Sequence, residues 1–161
     1  MNAIGCMALM MGISMSSTSV NVVRQSTEAF NNRNYEKLFT EYYADNMEVR
    51  WHPDWQVFAK VLDDLKDPNI NKEEKLHLIE NGIVSVPGEL AYENMDAIRA
   101  QIKKQFESTE DLAADIIELD GIGPYAILHQ RKARLGETVE GYILYYIVDG
   151  RIQSLWMAKK Q

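Results

Sequence analysis

The feature that most constrains this chain is the run from Leu112 to Lys159. Apolar and β-branched residues there form blocks at 112–119, 125–135, 138–148 and 151–158. The breaks between them are Asp120-Gly121-Ile122-Gly123-Pro124, Gly136-Glu137 and Asp149-Gly150. Asp-Gly between two strands is a type I′ hairpin signal, because glycine tolerates a positive φ. Strands joined by such short turns must lie antiparallel and side by side. The chain therefore ends in a meander.

Upstream, the hydrophobic period changes from that of a strand to that of a helix. Ser19 reads as the N-cap of a helix reaching about Asn32, with Val22, Val23, Ala29 and Phe30 on one side. Asn34 can cap a second helix at 35–43, with Leu38, Phe39 and Tyr42 at helical spacing. Ala44-Asp45-Asn46 reads as a turn, and 47–52 as a strand that Pro53 ends. A helix follows at 54–65, where Trp55, Phe58, Leu62 and Leu65 recur every three or four residues. Asn71 with Glu74 forms a capping-box start for a helix ending near Gly82, and 83–86 reads as a short strand. Asn94 caps the clearest helix, whose stripe is Met95, Ile98, Ile102 and Phe106. Helices followed by a meander predict an α+β fold. A sheet curled around those helices leaves room for a pocket.

At 161 residues one domain is the default, placed at 19–161. Lys plus Arg is 17 against 24 Asp plus Glu, a formal charge of −7. That balance argues against a nucleic-acid partner, which needs basic patches for phosphate. The one cysteine, Cys6, excludes an intramolecular disulfide and supplies no CxxC metal pair. A cytoplasmic setting is expected. The apolar stretch from Ala3 to Ile13 is too short to span a bilayer, so no membrane partner is expected. Residues 1–18 read as a disordered or loosely docked tail. A cleaved N-terminal signal is the alternative reading, although no Lys or Arg precedes the apolar stretch.

Four passages carry a family likeness. They are Asn32-Arg33-Asn34-Tyr35-Glu36-Lys37-Leu38, Tyr43-Ala44-Asp45-Asn46 running to Pro53, Asn94-Met95-Asp96-Ala97-Ile98-Arg99, and Val148-Asp149-Gly150-Arg151-Ile152. In order and spacing the chain resembles the nuclear-transport-factor-2-like superfamily, within it the SnoaL-like polyketide cyclases and ketosteroid-isomerase relatives. The resemblance covers about Val20 to Ala158. It implies a cone: a strongly bent, mostly antiparallel sheet wrapped around N-terminal helices, with an apolar cavity at the open end. It also implies a homodimer through the outer sheet face. The helical stretch at 54–92 is longer than the family usually has there and is expected to form a lid or extra wall. Members include isomerases, cyclases, dehydratases and pure binding modules, so the fold does not select a reaction.

The candidate acid–base groups are His52, His129 and Asp115. His52 follows the first strand near where isomerase relatives place a carboxylate. The aligned position is Trp51, which takes no proton. His52 is either a base, with a reference pKa near neutrality, or a strand-end histidine hydrogen-bonded beside Pro53. Alternation puts Tyr125, Ile127, His129 and Arg131 on one strand face and Ala126, Leu128, Gln130 and Lys132 on the other. Either face could line the cavity. Asp115 and Glu118 fall on opposite faces by the same count, so at most one points inward. Trp51, Trp55, Tyr42, Tyr145 and Trp156 are candidate substrate-binding rings, or core packing. The three histidines are scattered, so no metal site is expected.

The leading expectation is a cofactor-free isomerase, cyclase or dehydratase. It would act by acid–base chemistry on a small apolar carbonyl compound of polyketide or terpenoid type. The alternative is a non-catalytic small-ligand-binding or dimerisation module of the same fold. A cavity wall without His, Asp or Glu favours the alternative.

Overall fold

Six strands and five helices make up the computed structural model, which describes residues 18–108, 112–134 and 136–161. The expected tail falls on residues 1–17, outside that set; position 18 belongs to the first helix, α1, at 18–31. Next come α2 (Tyr35–Lys37), which runs on through a wider π-type turn at Leu38–Tyr42, and β1 (Tyr43–Trp51). Then follow α3 (Trp55–Leu65), α4 (Lys72–Ile79), β2 (Glu89–Leu90) and α5 (Met95–Glu107). The chain ends in β3 (Ala113–Ile122), β4 (Tyr125–Arg134), β5 (Glu137–Val148) and β6 (Arg151–Lys159). The fold is α+β, and the sheet order is β2-β1-β6-β5-β4-β3. Among the described residues, only the β1–β6 pairing is parallel.

Local chemistry sets most of the boundaries. Asn34, Asp54, Asn71 and Asn94 each accept a bond from a backbone N–H two or three residues on, which satisfies a donor that the first turn leaves open. The Asn71 side-chain amide also donates to the Glu74 carboxylate at 3.2 Å, a side-chain contact that stands where the backbone bond of a capping box was expected. Asp149 and Gly150 both take positive φ, 53° and 77°, as a type I′ hairpin requires. Arg33 donates to the carbonyls of Phe106 and Ser108, so a cation sits at the C-terminal end of α5.

Three expected boundaries shift. Ser19 lies inside α1, and its hydroxyl donates to the Gly123 carbonyl at 2.8 Å, pinning the helix to the β3–β4 turn. Ala44-Asp45-Asn46 is absorbed into β1 as an irregularity between Tyr43 and Glu48. The short strand expected at 83–86 is instead a π-type extension of α4 at Glu80–Val84, closed by Ser85 N–H on the Glu80 carbonyl at 2.8 Å.

The sheet bends where its register breaks: in β1, at Ile116/Glu118 in β3, and at Tyr146/Ile147 in β5. The bend makes two hydrophobic clusters on opposite sides. On the concave side, α1, α2 and α5 pack Val23, Leu38 and Ile98 against Met47, Leu128, Tyr145 and Ile152. On the convex side, α3 and α4 pack Phe58, Leu62 and Ile79 against Ile127, Leu144 and Trp156. Fully burying a side chain such as Phe58 or Leu62 stabilises by roughly 1.5–3 kcal/mol. The helical stretch expected to form a lid thus covers the back of the sheet. It lies over the face that the resemblance assigns to a dimer contact. Among the described residues, no helix is long and apolar enough to cross a membrane.

Candidate functional site

The cone holds a chamber of about 150 Å³ between the concave face and helices α1 and α5. It adjoins a space of about 250 Å³ at the mouth, and the two share Tyr92, Gln105, Gln130, Lys132, Ile143 and Met157 as walls. Strand alternation builds the chamber. Met47 and Val49 point in from β1, Ile143 and Tyr145 from β5, and Leu155 and Met157 from β6. Phe30 on α1 and Ile98 and Ile102 on α5 close it. Asn31 locks α1 in place with a pair of bonds to the Ala114 backbone, donating to the carbonyl at 3.0 Å and accepting from the N–H at 2.8 Å.

Nearly half of the wall residues carry a polar side chain. Ser26 donates back to the Val23 carbonyl at 3.1 Å. Burial raises the Tyr43 and Tyr145 phenols well above the ordinary tyrosine range, and Tyr43 adds to the shift at Tyr145. Both are neutral phenols at any physiological pH. At the neck stand Gln105, Gln130 and Lys132. The Lys132 Nζ lies 4.5 Å from the Phe30 ring centre and 3.4 Å from Gln105 Oε1. Among the described residues of the chamber wall there is no Asp, Glu or His.

The three expected acid–base residues lie elsewhere. β4 turns Ala126, Leu128, Gln130 and Lys132 inward, because α3 and α4 give Tyr125 and Ile127 an apolar partner on the other side. His129 therefore lies on the convex side. It stacks on Tyr142, with ring centres 4.3 Å apart, and meets the Glu140 carboxylate at 3.3 Å. His52, 7% exposed, is a joint between β1 and the α3–α4 segment. Its Nδ1 accepts from the Asp54 N–H at 3.0 Å, which leaves Nε2 to donate to the Gly82 carbonyl at 3.0 Å. Its ring stands edge-on to Phe58 at 5.0 Å. Asp115 is exposed and pairs in register with Arg131 on the convex side. The β3 irregularity inserts Ile117 and resets the alternation, so Glu118 falls on that same side, opposite His129. There Glu118 pairs with Lys66 at the end of α3.

Of the expected ligand rings, Tyr145 lines the chamber and Trp51, 45% exposed, lines the mouth. Tyr42 is buried in the concave core without reaching the chamber. Trp156 packs into the convex cluster, and Trp55 stacks on Tyr142 at 6.0 Å. Wall residues outside the candidate set include Tyr43, Gln105, Gln130 and Lys132. The signal for Gln130 and Lys132 is the polar end of an otherwise apolar strand face in β4, one of the two faces open to the cavity from sequence, and Gln105 lies on the α5 flank beside the Ile102 stripe. Among the described residues, no three of His, Cys, Asp and Glu stand close enough to hold a metal ion.

No family model matches the sequence, and no curated protein matches it. Solved structures do match in shape. An NTF2-like protein of unknown function from Mesorhizobium loti is similar with a TM-score of 0.58 at 15% identity, over 91% of this chain and 93% of its own. A proposed ketosteroid isomerase from Kribbella flavida gives 0.56 at 12% identity, over 91% of this chain and 80% of its own. A proposed SnoaL-like polyketide cyclase from Jannaschia sp. gives 0.52 at 10% identity, over 91% and 88%. Likeness at these identities concerns the fold.

Proposed function

We propose that this chain, which has the nuclear-transport-factor-2-like fold, binds a small, largely apolar molecule in the chamber of its cone. The observation that carries the reading is the wall itself. It combines apolar side chains with phenols, hydroxyls, amides and Lys132 and, among the described residues, has no Asp, Glu or His. Such a wall orients a ligand and excludes water.

The enzymatic expectation is proton transfer on a polyketide- or terpenoid-type carbonyl compound. It needs a proton acceptor against the ligand. His52, His129 and Asp115 are on the convex side, so binding is the better-supported reading. Residues 19–161 act as one domain in this reading, with a cytoplasmic setting. Because α3 and α4 cover part of the outer face, a homodimer through that face would use the part they leave exposed, around Asp115 and Arg131.

Methionine-methyl NMR tests the reading, because Met47 and Met157 both line the chamber. Titration with p-cresol should shift those two signals saturably. If neither moves at millimolar p-cresol, the chamber is not a binding site.

A further inference from the structure

The inner end of the chamber carries hydroxyls that the fold itself does not use. On α1 the residues Val23, Ser26, Thr27 and Phe30 recur at helical spacing along one face. Two hydroxyl residues inside such a stripe, 4% and 7% exposed, are out of keeping with a plain packing face. Ser26 satisfies its own donor on the Val23 carbonyl. The Thr27 hydroxyl has no hydrogen-bond partner among the described residues, and the same holds for the phenol oxygens of Tyr43 and Tyr145. Tyr43 is fixed instead through its ring, edge-on to Phe39 at 5.2 Å, and Tyr145 is 7% exposed. Tyr92, at the mouth, makes an interaction of its own. Among the described residues no side-chain oxygen is both sealed off and without a partner, so the three hydroxyls open onto space. The space they share is the chamber: all three line it, and none lines the mouth. Tyr43 also adds to the upward shift at Tyr145, which makes the two phenols near neighbours.

Nothing at this end offsets a charge. Among the described residues that line the chamber but not the mouth, none is ionised at neutral pH. An ion placed there would be desolvated without a counter-charge. A purely apolar ligand would leave three hydroxyls unpaired where water is excluded, at a cost for each. A carbonyl oxygen accepts from two and leaves the third without a partner. A hydroxyl accepts two bonds and donates one, which serves all three. Size sets the rest, since an apolar cavity of about 150 Å³ holds roughly one benzene-sized ring.

Resting on the binding reading above, we propose that the chamber takes a neutral single-ring hydroxy compound, a phenol or a cyclic alcohol, with its hydroxyl turned inward. The ring lies among Met47, Val49, Ile98 and Leu155. The ligand oxygen accepts from Tyr43 and Tyr145 and donates its proton to the Thr27 oxygen.

Four probes separate the head group from the ring: p-cresol with p-xylene, and 4-methylcyclohexanol with 4-methylcyclohexanone. Each is titrated and followed at the Met47 and Met157 methyls. Wild type should bind the alcohol about two-fold or more tighter than the ketone, which pairs one hydroxyl fewer. Thr27→Val, equal in shape, should remove that preference by weakening the alcohol alone. Tyr145→Phe should lower p-cresol affinity about two- to ten-fold, the size of one neutral hydrogen bond, and leave p-xylene binding as tight or tighter. Tyr43→Phe should act in the same way, so the test survives one variant that fails to fold by circular dichroism. A ketone that binds as well as the alcohol overturns the hydroxyl assignment and leaves the chamber reading standing. So does a p-cresol to p-xylene ratio that the folded variants leave unchanged. If none of the four probes moves either methyl, the chamber reading fails and takes this proposal with it.

Discussion

Replacing His52 by alanine separates a structural histidine from a catalytic one. The imidazole joins β1 to the α3–α4 segment through two hydrogen bonds at 3.0 Å, one from each ring nitrogen. Without it, the Gly82 carbonyl and the Asp54 N–H lose their side-chain partner, at a net cost of about 0.5–1.5 kcal/mol each. The edge-on contact with Phe58 adds about 0.5–1.5 kcal/mol. The sum is about 2–4 kcal/mol, a large part of the roughly 5–15 kcal/mol that holds a domain together. With an m-value of about 2 kcal/mol/M in urea, within the usual range of about 1–3, the midpoint should fall by about 1–2 M. Trp55 and Trp156 both sit in the convex cluster, so their fluorescence reports the transition. His52→Asn offers an acceptor near the Nδ1 position and should recover about 1 kcal/mol. Probe affinity of the folded variant should stay within about two-fold of wild type, because the chamber lies on the other side of the sheet. A variant of unchanged stability that has lost ligand binding, or a catalytic turnover found in the wild type, would refute the structural role.

Three further outcomes are expected. Ala114→Phe places a ring in the chamber wall and should abolish p-cresol shifts at the Met47 and Met157 methyls while the circular dichroism stays native; unchanged shifts would mean the ligand sits elsewhere. The Glu140 carboxyl is held down to about 2 from 4.5 by Lys160 first, then His129 and Arg131. A lowered folded-state pKa gives stability that is present above about pH 4.5 and lost as pH falls toward 2. The urea-midpoint gap between wild type and Glu140→Gln should therefore close across that window, and a constant gap would contradict the assignment. Tyr43 and Tyr145 are raised by burial, so their protonated forms favour the fold; their contribution to stability should be level below pH 10.0 and decline above it. Absorbance at 295 nm should show part of the phenolate signal arriving only with unfolding. Ionisation of all 8 tyrosines in the native state would count against this burial.

What could be read from sequence was what local chemistry decides. Asn34, Asp54, Asn71 and Asn94 satisfy the N–H groups of their own first turns, so each helix start is written within three residues. The Asp149-Gly150 turn is equally local. The choice of face in β4 is not, because Tyr125, Ala126, Ile127 and Leu128 are buried on both sides. Alternation predicts two faces and does not rank them when α3 and α4 arrive from elsewhere in the chain to cover one. The same distance effect moved His129 and Trp156 to the back of the sheet. At Ile117 a single extra residue undid the parity that separated Asp115 from Glu118. The chamber itself was foreseen as a cavity in a bent sheet, but its polar neck was not, since Lys132 and Gln105 meet across 27 positions of sequence.

Two-sided burial has a consequence for how the strands find one another. In β4 and β5, sliding by one residue would exchange one oily surface for another, so water exposure gives little warning of the error. The penalty must come from geometry at the ends: a loop that closes only with Asp149 and Gly150 in left-handed conformations, and Ser19 clasping Gly123. Lengthening either connection by one residue should therefore yield mispaired, aggregation-prone chains more readily than emptying a core position would.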